Sequence, residues 1–205
     1  MLDERGFDLW ADAYDQTVAA SEQEGTYPFA GYRELLDTIY RRIRGKTGKR
    51  VLDIGFGTGT LTKRLYDDGM AVTGIDFSAE MLRIARERMP HARLIQADFS
   101  QGLPDVLAHE EFDHIVSTYA LHHLDDMRKA ALIRELREHL ASGGEILLGD
   151  VAFATAEERE RCRAESGERW DDGELYAAAE ELEKLVPGLA FQKISFCAGI
   201  FIIHT

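Results

Sequence analysis

Between residues 51 and 62 the chain reads VLDIGFGTGTLT, an acid at Asp53 followed by glycines at Gly55, Gly57 and Gly59. Glycine costs backbone entropy, so three in five residues need a reason. The usual ones are a tight turn and a ligand lying against bare main chain. Two further acids stand at corresponding places: Asp76 closes AVTGID, and Asp98 closes RLIQAD. A carboxylate about 20 residues beyond such a loop accepts hydrogen bonds from ribose hydroxyls. The spacing is Gly-x-Gly-x-Gly, not the Gly-x-Gly-x-x-Gly of dinucleotide sites, and no Gly-Lys-Ser/Thr follows to make a phosphate loop. So acidic a rim repels pyrophosphate. The expected ligand therefore has an adenosine, no phosphate and a positive charge.

These residues do chemistry only if the fold brings them to one edge, and the surrounding pattern supplies such an edge. Strand-like runs are RVLDI (50–54), AVTGID (71–76), RLIQAD (93–98), FDHIVST (112–118) and EILLGDV (145–151). Helix-like runs lie between them, at about 59–68, 78–89 and 126–140. Such alternation with apolar strands predicts an α/β fold whose parallel sheet is covered on both faces. Ligands of open sheets of this kind bind beyond the carboxyl ends of the strands. At the end of the chain, AFQKISF and GIFIIHT are separated only by CAG, too short for a crossover helix. They predict an antiparallel hairpin and one reversed strand at the sheet edge. Upstream, residues 5 to 45 read as helical, with Phe7, Trp10, Tyr14 and Val18, then Phe29, Tyr32, Leu36, Ile39 and Ile43, at helical spacing. SEQEGT reads as the loop between two helices, and Pro28 is placed to open the second.

Composition sets the bounds. A chain of 205 residues, 45% hydrophobic, suits one α/β domain with a modest appendage. A net charge of −13 argues against a phosphate backbone as partner. Two cysteines, Cys162 and Cys197, make neither a disulfide framework nor a metal spacing. The start, MLDERGFDLW, lacks the pattern of a signal peptide, and no apolar stretch approaches 18 residues. The expectation is a cytoplasmic protein with no membrane contact.

VLDIGFGTGTLT, GIDFSAEML, IQADFS and FDHIVSTYALHHL, in that order over residues 50 to 125, resemble the class I S-adenosylmethionine-dependent methyltransferases. WADAYDQT near the start and IVSTYALHHL are similar to the YrrT-type group, which extends the resemblance over nearly the whole chain. It implies a Rossmann-like, doubly wound seven-stranded sheet, mostly parallel with one antiparallel strand near the C-terminus. Residues 1–48 would form an N-terminal helical lid and 49–205 the methyltransferase domain. S-adenosyl-L-methionine would be the cofactor and S-adenosyl-L-homocysteine the product. Gly55, Gly57 and Gly59 would let the backbone approach the methionine and ribose part, with Asp53 holding the loop and the ligand's ammonium region. Asp76 would take the ribose hydroxyls. Asp98 would accept from the adenine amino group, walled by Phe77, Met81 and Phe99, and Ser117 would complete the set. Tyr14 would be the lid residue facing the sulfonium, a cation–π contact of roughly 0.5–2 kcal/mol. Phe56 stands where the family often has a smaller residue.

Methyl transfer from a sulfonium needs positioning first, and a base only if the acceptor arrives protonated. His122 is the candidate base, in ALHHLDD after the fourth strand, with His123 beside it; the competing role is a structural hydrogen bond. As metal ligands the two histidines are expected to point apart, with no Cys or Glu spaced to join them, so no metal is expected. RRIRGKTGKR reads as a solvated helix end feeding the far end of the first strand, and not as a nucleic-acid patch. The base-amino methyltransferase motif, Asn/Asp-Pro-Pro-aromatic, is absent where STYALH stands. Residues 157–185 read as outer helix, with Phe153 and Trp170 as candidates to shape an acceptor pocket. The expected function is methyl transfer to a small-molecule acceptor. The alternatives are a non-catalytic S-adenosylmethionine-binding module and a protein methyltransferase. A nicotinamide dehydrogenase would share the sheet but not the glycine spacing.

Overall fold

The computed structural model describes residues 21–204. The strands are β1 (Arg50–Ile54), β2 (Ala71–Asp76), β3 (Arg93–Gln96), β4 (Phe112–Thr118), β5 (Leu140–Phe153), β6 (Ala177–Ala178), β7 (Ala190–Lys193) and β8 (Ala198–His204). The helices are α1 (Tyr32–Arg44), α2 (Thr60–Asp67), α3 (Ala79–Arg88), α4 (Asp126–Glu138), α5 (Ala156–Ser166) and α6 (Ala179–Leu185). The main sheet is ordered β3-β2-β1-β4-β5-β8-β7, and the two-residue β6 joins β5 off this path. β1 to β5 pair in parallel, while β8 runs antiparallel to both its neighbours. This is a Rossmann-like α/β fold.

Successive side chains of a strand point to opposite faces, and both faces here are covered. Val51, Val116 and Leu147 pack with Leu35, Ile39 and Ile43 of α1 and with Leu61 and Leu65 of α2. The next residues along or before them, Leu52, Ile115 and Ile146, pack with Ile133 and Leu136 of α4 and Leu182 of α6. Burying one such side chain is worth roughly 1.5–3 kcal/mol, so the apolar central strands fix the two-sided arrangement.

The structure corrects the expected boundaries at four places. β5 starts at Leu140, not at 145, because a register shift between Phe112 and His114 lets Leu140 pair with Phe112 before Glu145 pairs with His114. The reversed strand is one place in from the edge: β8 is buried along nearly its whole length, and the more exposed β7, ending in Lys193, forms the edge. An edge strand tolerates solvent and charge where an inner one does not. SEQEGT is not all loop, since residues 21–24 are helical. Pro28 does not open α1, which starts at Tyr32 after Gly31 turns the chain with φ 83°. The helix expected around Phe7, Trp10, Tyr14 and Val18 lies outside the described residues. Among the described residues no helix is long and apolar enough to cross a membrane.

At the amino-terminal pole of the sheet a buried carboxylate meets a partly exposed arginine. Arg42 of α1 donates to Glu145 at 2.7 Å, and His114 Nδ1 lies 3.6 Å from the other carboxylate oxygen. Burial raises the Glu145 pKa, but His114, Arg42 and Lys46 more than offset it and hold the carboxyl at about 2. A carboxyl whose folded pKa lies below its unfolded value stabilises the fold above the unfolded value, about 4.3, and loses that contribution as pH falls through the folded one. Glu145→Gln should therefore lower stability by roughly 1–3 kcal/mol at pH 7. In thermal unfolding the gap to the parent should shrink between about pH 5 and pH 2; a gap constant over that range would exclude the ion pair as its source.

Candidate active site

The glycine loop forms because β1 must turn sharply into α2. Gly55 continues the ladder, donating to Ile75 O at 2.7 Å, and Gly55, Gly57 and Gly59 have φ of 68°, 56° and 80°. Side chains adopt such angles only at a cost of about 1–2 kcal/mol. The three glycines have different surroundings. A Cβ on Gly55 would stand 2.5 Å from Ala120 Cβ, and one on Gly59 would stand 2.9 Å from Met89 Cε, whereas one on Gly57 would meet nothing within 4 Å. Gly57 is thus the open rung, and its N–H donates to Asp76 Oδ2 at 2.8 Å. The other Asp76 oxygen accepts from Ser78 N at 2.9 Å, and Ser78 caps α3 by accepting from Met81 N at 3.1 Å. Phe56 packs with Leu82, Ala85 and Met89, its ring lying over Gly74.

A continuous cavity of about 1090 Å³ runs from this loop to the loop after β4. At one end it is lined by Gly55, Gly57, Asp76, Phe77, Met81 and Phe99. Four residues expected at the cofactor are not on this wall. Asp53 is buried behind the loop, where its Oδ2 accepts from Thr62 Oγ1 at 2.6 Å. Gly59 faces α3, as its contact with Met89 shows. Asp98 follows the end of β3 by two residues and is exposed, its carboxylate accepting from Ser100 N at 2.9 Å to cap a short 3₁₀ turn. Ser117 is buried and donates to Ile54 O at 2.8 Å, tying β4 to β1. Tyr14 lies outside the described residues. Burial, reinforced by the charge of Asp76, pushes the Asp53 carboxyl up to about 7 against the Thr62 hydrogen bond.

The other end is aromatic and polar. Tyr27, Phe29, Tyr32, Tyr119, His122 and Tyr176 line it. The Tyr27 and Tyr176 hydroxyls are 2.6 Å apart, and Trp170 stacks on Tyr27 with ring centres 5.1 Å apart. Phe153 is fully buried, and neither it nor Trp170 reaches the cavity; Trp170 instead supports the tyrosines that do. Tyr119 adopts φ 53°, the one non-glycine residue with positive φ among those described, and its ring packs against Phe29 and Tyr32.

His122 reaches the cavity with its ring fixed from behind. Its Nδ1 lies 2.7 Å from Asp150 Oδ1, while Asp150 Oδ2 accepts from the N–H groups of Leu121 and His122. Burial disfavours the imidazolium, but Asp150 and Glu174 more than offset it and raise the His122 pKa. The expectation that the paired histidines point apart without an acidic partner is corrected. Their rings are 4.3 Å apart, and Glu174 Oε2 lies 3.1 Å from His123 Nδ1 and 3.7 Å from His122 Nε2. Glu174 comes from the stretch read as outer helix, which ends at Ser166 and returns over the cavity before β6. Sequence reading also passed over Asp150, although an acid near the carboxyl end of a strand was the signal that marked Asp76.

The family described as "Methyltransferase domain" matches residues 51–144. An uncharacterized methyltransferase of Anoxybacillus flavithermus is 39% identical over 163 residues, covering 80% of this chain and 74% of that protein. One from Geobacillus sp. WCH70 is 38% identical over 188 residues, covering 87% and 84%. Among solved structures, a DhpI–SAM–HEP complex superposes with a TM-score of 0.66 at 20% identity, over 96% of this chain and 92% of that one. The chain belongs to the class I S-adenosylmethionine-dependent methyltransferases. As a member of that family it takes S-adenosylmethionine as cofactor and leaves S-adenosylhomocysteine as product. The residues fit such a group: Gly57 offers bare backbone with open space above it, and Asp76 offers a buried carboxylate on the same wall.

Two substitutions separate packing from ligand contact. Gly55→Ala should cost roughly 2–5 kcal/mol of stability through strain and the collision with Ala120. Gly57→Ala should cost only about 1–2 kcal/mol yet weaken S-adenosylhomocysteine binding measured by calorimetry. Parent-like affinity in folded Gly57→Ala would show that this rung does not meet the cofactor.

Proposed function

We propose that the enzyme methylates a small-molecule acceptor held at the aromatic end of the cavity, and that it is of the YrrT type. The observation that carries this reading is the single cavity of about 1090 Å³ joining the glycine loop to the His122 end. Pockets for one ligand of drug size run to roughly 300–1,000 Å³, so there is room for a donor and a small acceptor together. Among the described residues the lining holds the acids Glu24, Asp76, Asp171 and Glu174 against one arginine, Arg169. With the net charge of −13 this disfavours nucleic acid and suits a cationic donor.

In this reading Asp76 accepts from the ribose hydroxyls, Gly55 and Gly57 let the main chain approach the donor, and Phe77, Met81 and Phe99 wall the adenine. Asp53 acts through Thr62, by holding the start of α2 beneath the loop. Gly59 and Ser117 shape the same corner from behind, and Asp98 stands beside Phe99. When bound, the cofactor supplies a methyl group already activated on a sulfonium. The chain's task is to orient: Tyr27, Phe29, Tyr32 and Tyr119 exclude water and fix the acceptor, which in well-oriented systems is worth on the order of 7–11 kcal/mol of barrier. Burial raises the pKa of both Tyr27 and Tyr176, so their hydroxyls remain protonated donors. His122 and its neighbours receive the polar group of the acceptor.

S-adenosylhomocysteine should bind at a micromolar level, roughly −8 kcal/mol, and NAD should not compete. Asp76→Ala should weaken that binding by about 1.5–3 kcal/mol for each hydrogen bond lost. With methyl-labelled donor and cell extract, label should enter the small-molecule fraction. Label confined to polypeptides would favour the protein methyltransferase, and binding without transfer to any fraction would favour the non-catalytic module.

A further inference from the structure

Orienting an acceptor does not by itself require three metal-competent side chains at one point, yet the polar end of the cavity holds them. His122, His123 and Glu174 each offer one ligand atom, and these atoms lie within 4.8 Å of one another. The two distances from Glu174 Oε2 to the imidazole nitrogens are 3.1 and 3.7 Å. Ligand atoms at ordinary bond lengths around a tetrahedral zinc ion stand roughly 3.4 Å apart, and the two Glu174 distances fall on either side of that value.

Three further observations distinguish this set from a chance meeting of surface groups. First, His122 is held at the nitrogen remote from the cluster: Nδ1 meets Asp150 at 2.7 Å, which leaves Nε2 facing Glu174. A carboxylate behind a histidine is the usual way of orienting a metal ligand. Second, Glu174 is placed by main chain. Leu175 N donates to His122 O at 2.7 Å, and the buried Lys129 donates from Nζ to Leu175 O at 2.5 Å. Third, all three members line the cavity with side chains only 15–20% exposed, so further coordination positions open inward.

The geometry points to a divalent metal site made by His122, His123 and Glu174. Two imidazoles and one carboxylate select a borderline transition ion, zinc or cobalt, over magnesium or calcium. Such an ion would offset the negative charge of Glu174, Asp171 and Asp150 and give an acceptor with an oxygen donor a point of attachment. That role rests on the reading of the cavity as the transfer site; metal uptake does not. On this assignment His122 is a ligand and not the base.

The test uses the full chain, free of any affinity tag and stripped with chelator. It is titrated with Zn²⁺ by calorimetry and with Co²⁺ by visible absorption. One ion per chain is expected, with the bands of a four- or five-coordinate cobalt site. Glu174→Gln and His123→Asn should each weaken Zn²⁺ binding at least tenfold, while S-adenosylhomocysteine affinity stays within about twofold. Thermal unfolding without metal identifies any variant that fails to fold, and either one alone suffices. A folded parent that binds S-adenosylhomocysteine but takes up no ion would overturn the site and leave the methyltransferase reading intact. Uptake unchanged in a folded variant would also overturn it. A parent that takes up the ion but binds no S-adenosylhomocysteine would sink only the reading of the cavity.

Discussion

One buried carboxylate organises the functional end of this molecule. Asp150, near the carboxyl end of β5, accepts from three backbone N–H groups and faces the His122 ring. An ionised carboxyl 4% exposed is tolerable because the groups bonded to it favour its charge. Burial alone would raise its pKa, but His122, Val151 and Lys129 bring it below the ordinary value. Through these bonds the loop after β4 is locked to β5. Lys129 then ties the start of α4 to Leu175 in the return segment before β6. The histidine pair, Glu174 and Tyr176 keep their relative places because of this network.

The glycine-loop end is built on a different principle. There the main chain is bare, and the buried carboxyls among the described residues are Asp76, bonded to two amides, and Asp53 behind it. Burial pushes the Asp53 carboxyl up to about 7, and repulsion from the charge of Asp76 adds to the rise. A cation arriving at the wall relieves that repulsion, whereas a pyrophosphate would deepen it. On the proposed reading, the acids at this loop select for charge before shape is compared.

Much of this was legible in the amino-acid sequence, and the limits have physical causes. β1, β2 and β4 were placed to the residue because buried parallel strands are short apolar runs bounded by turn signals. The cap of α3 follows local chemistry alone, since the Ser78 hydroxyl just before an apolar run accepts from the free N–H of Met81. The early start of β5 was hidden because Ser142, Gly143 and Gly144 carry no strand pattern, while the sheet takes up Ala141 to Gly144 as an irregularity. The inner position of β8 depends on which hairpin strand docks on β5, a tertiary choice. Asp53, Gly59, Asp98 and Ser117 sit at expected sequence positions, but the direction of a side chain at a strand end depends on where the strand stops. Glu174 and Tyr176 were invisible because charge and helical spacing alone do not show that a segment folds back over a cavity.

The left-handed backbone of Tyr119 has a consequence for molecular recognition. Holding an aromatic residue at φ 53° is unfavourable in an isolated chain, and the fold supplies the compensation through Phe29, Tyr32 and the hydrogen bond from Tyr119 N to Gly149 O. The ring is therefore set in place during folding. An incoming molecule meets a wall whose disorder has already been removed, so less of its own interaction energy is consumed in arranging the protein. Affinity for a small ligand, which has few atoms with which to make contacts, is gained by making the chain bear that entropy beforehand.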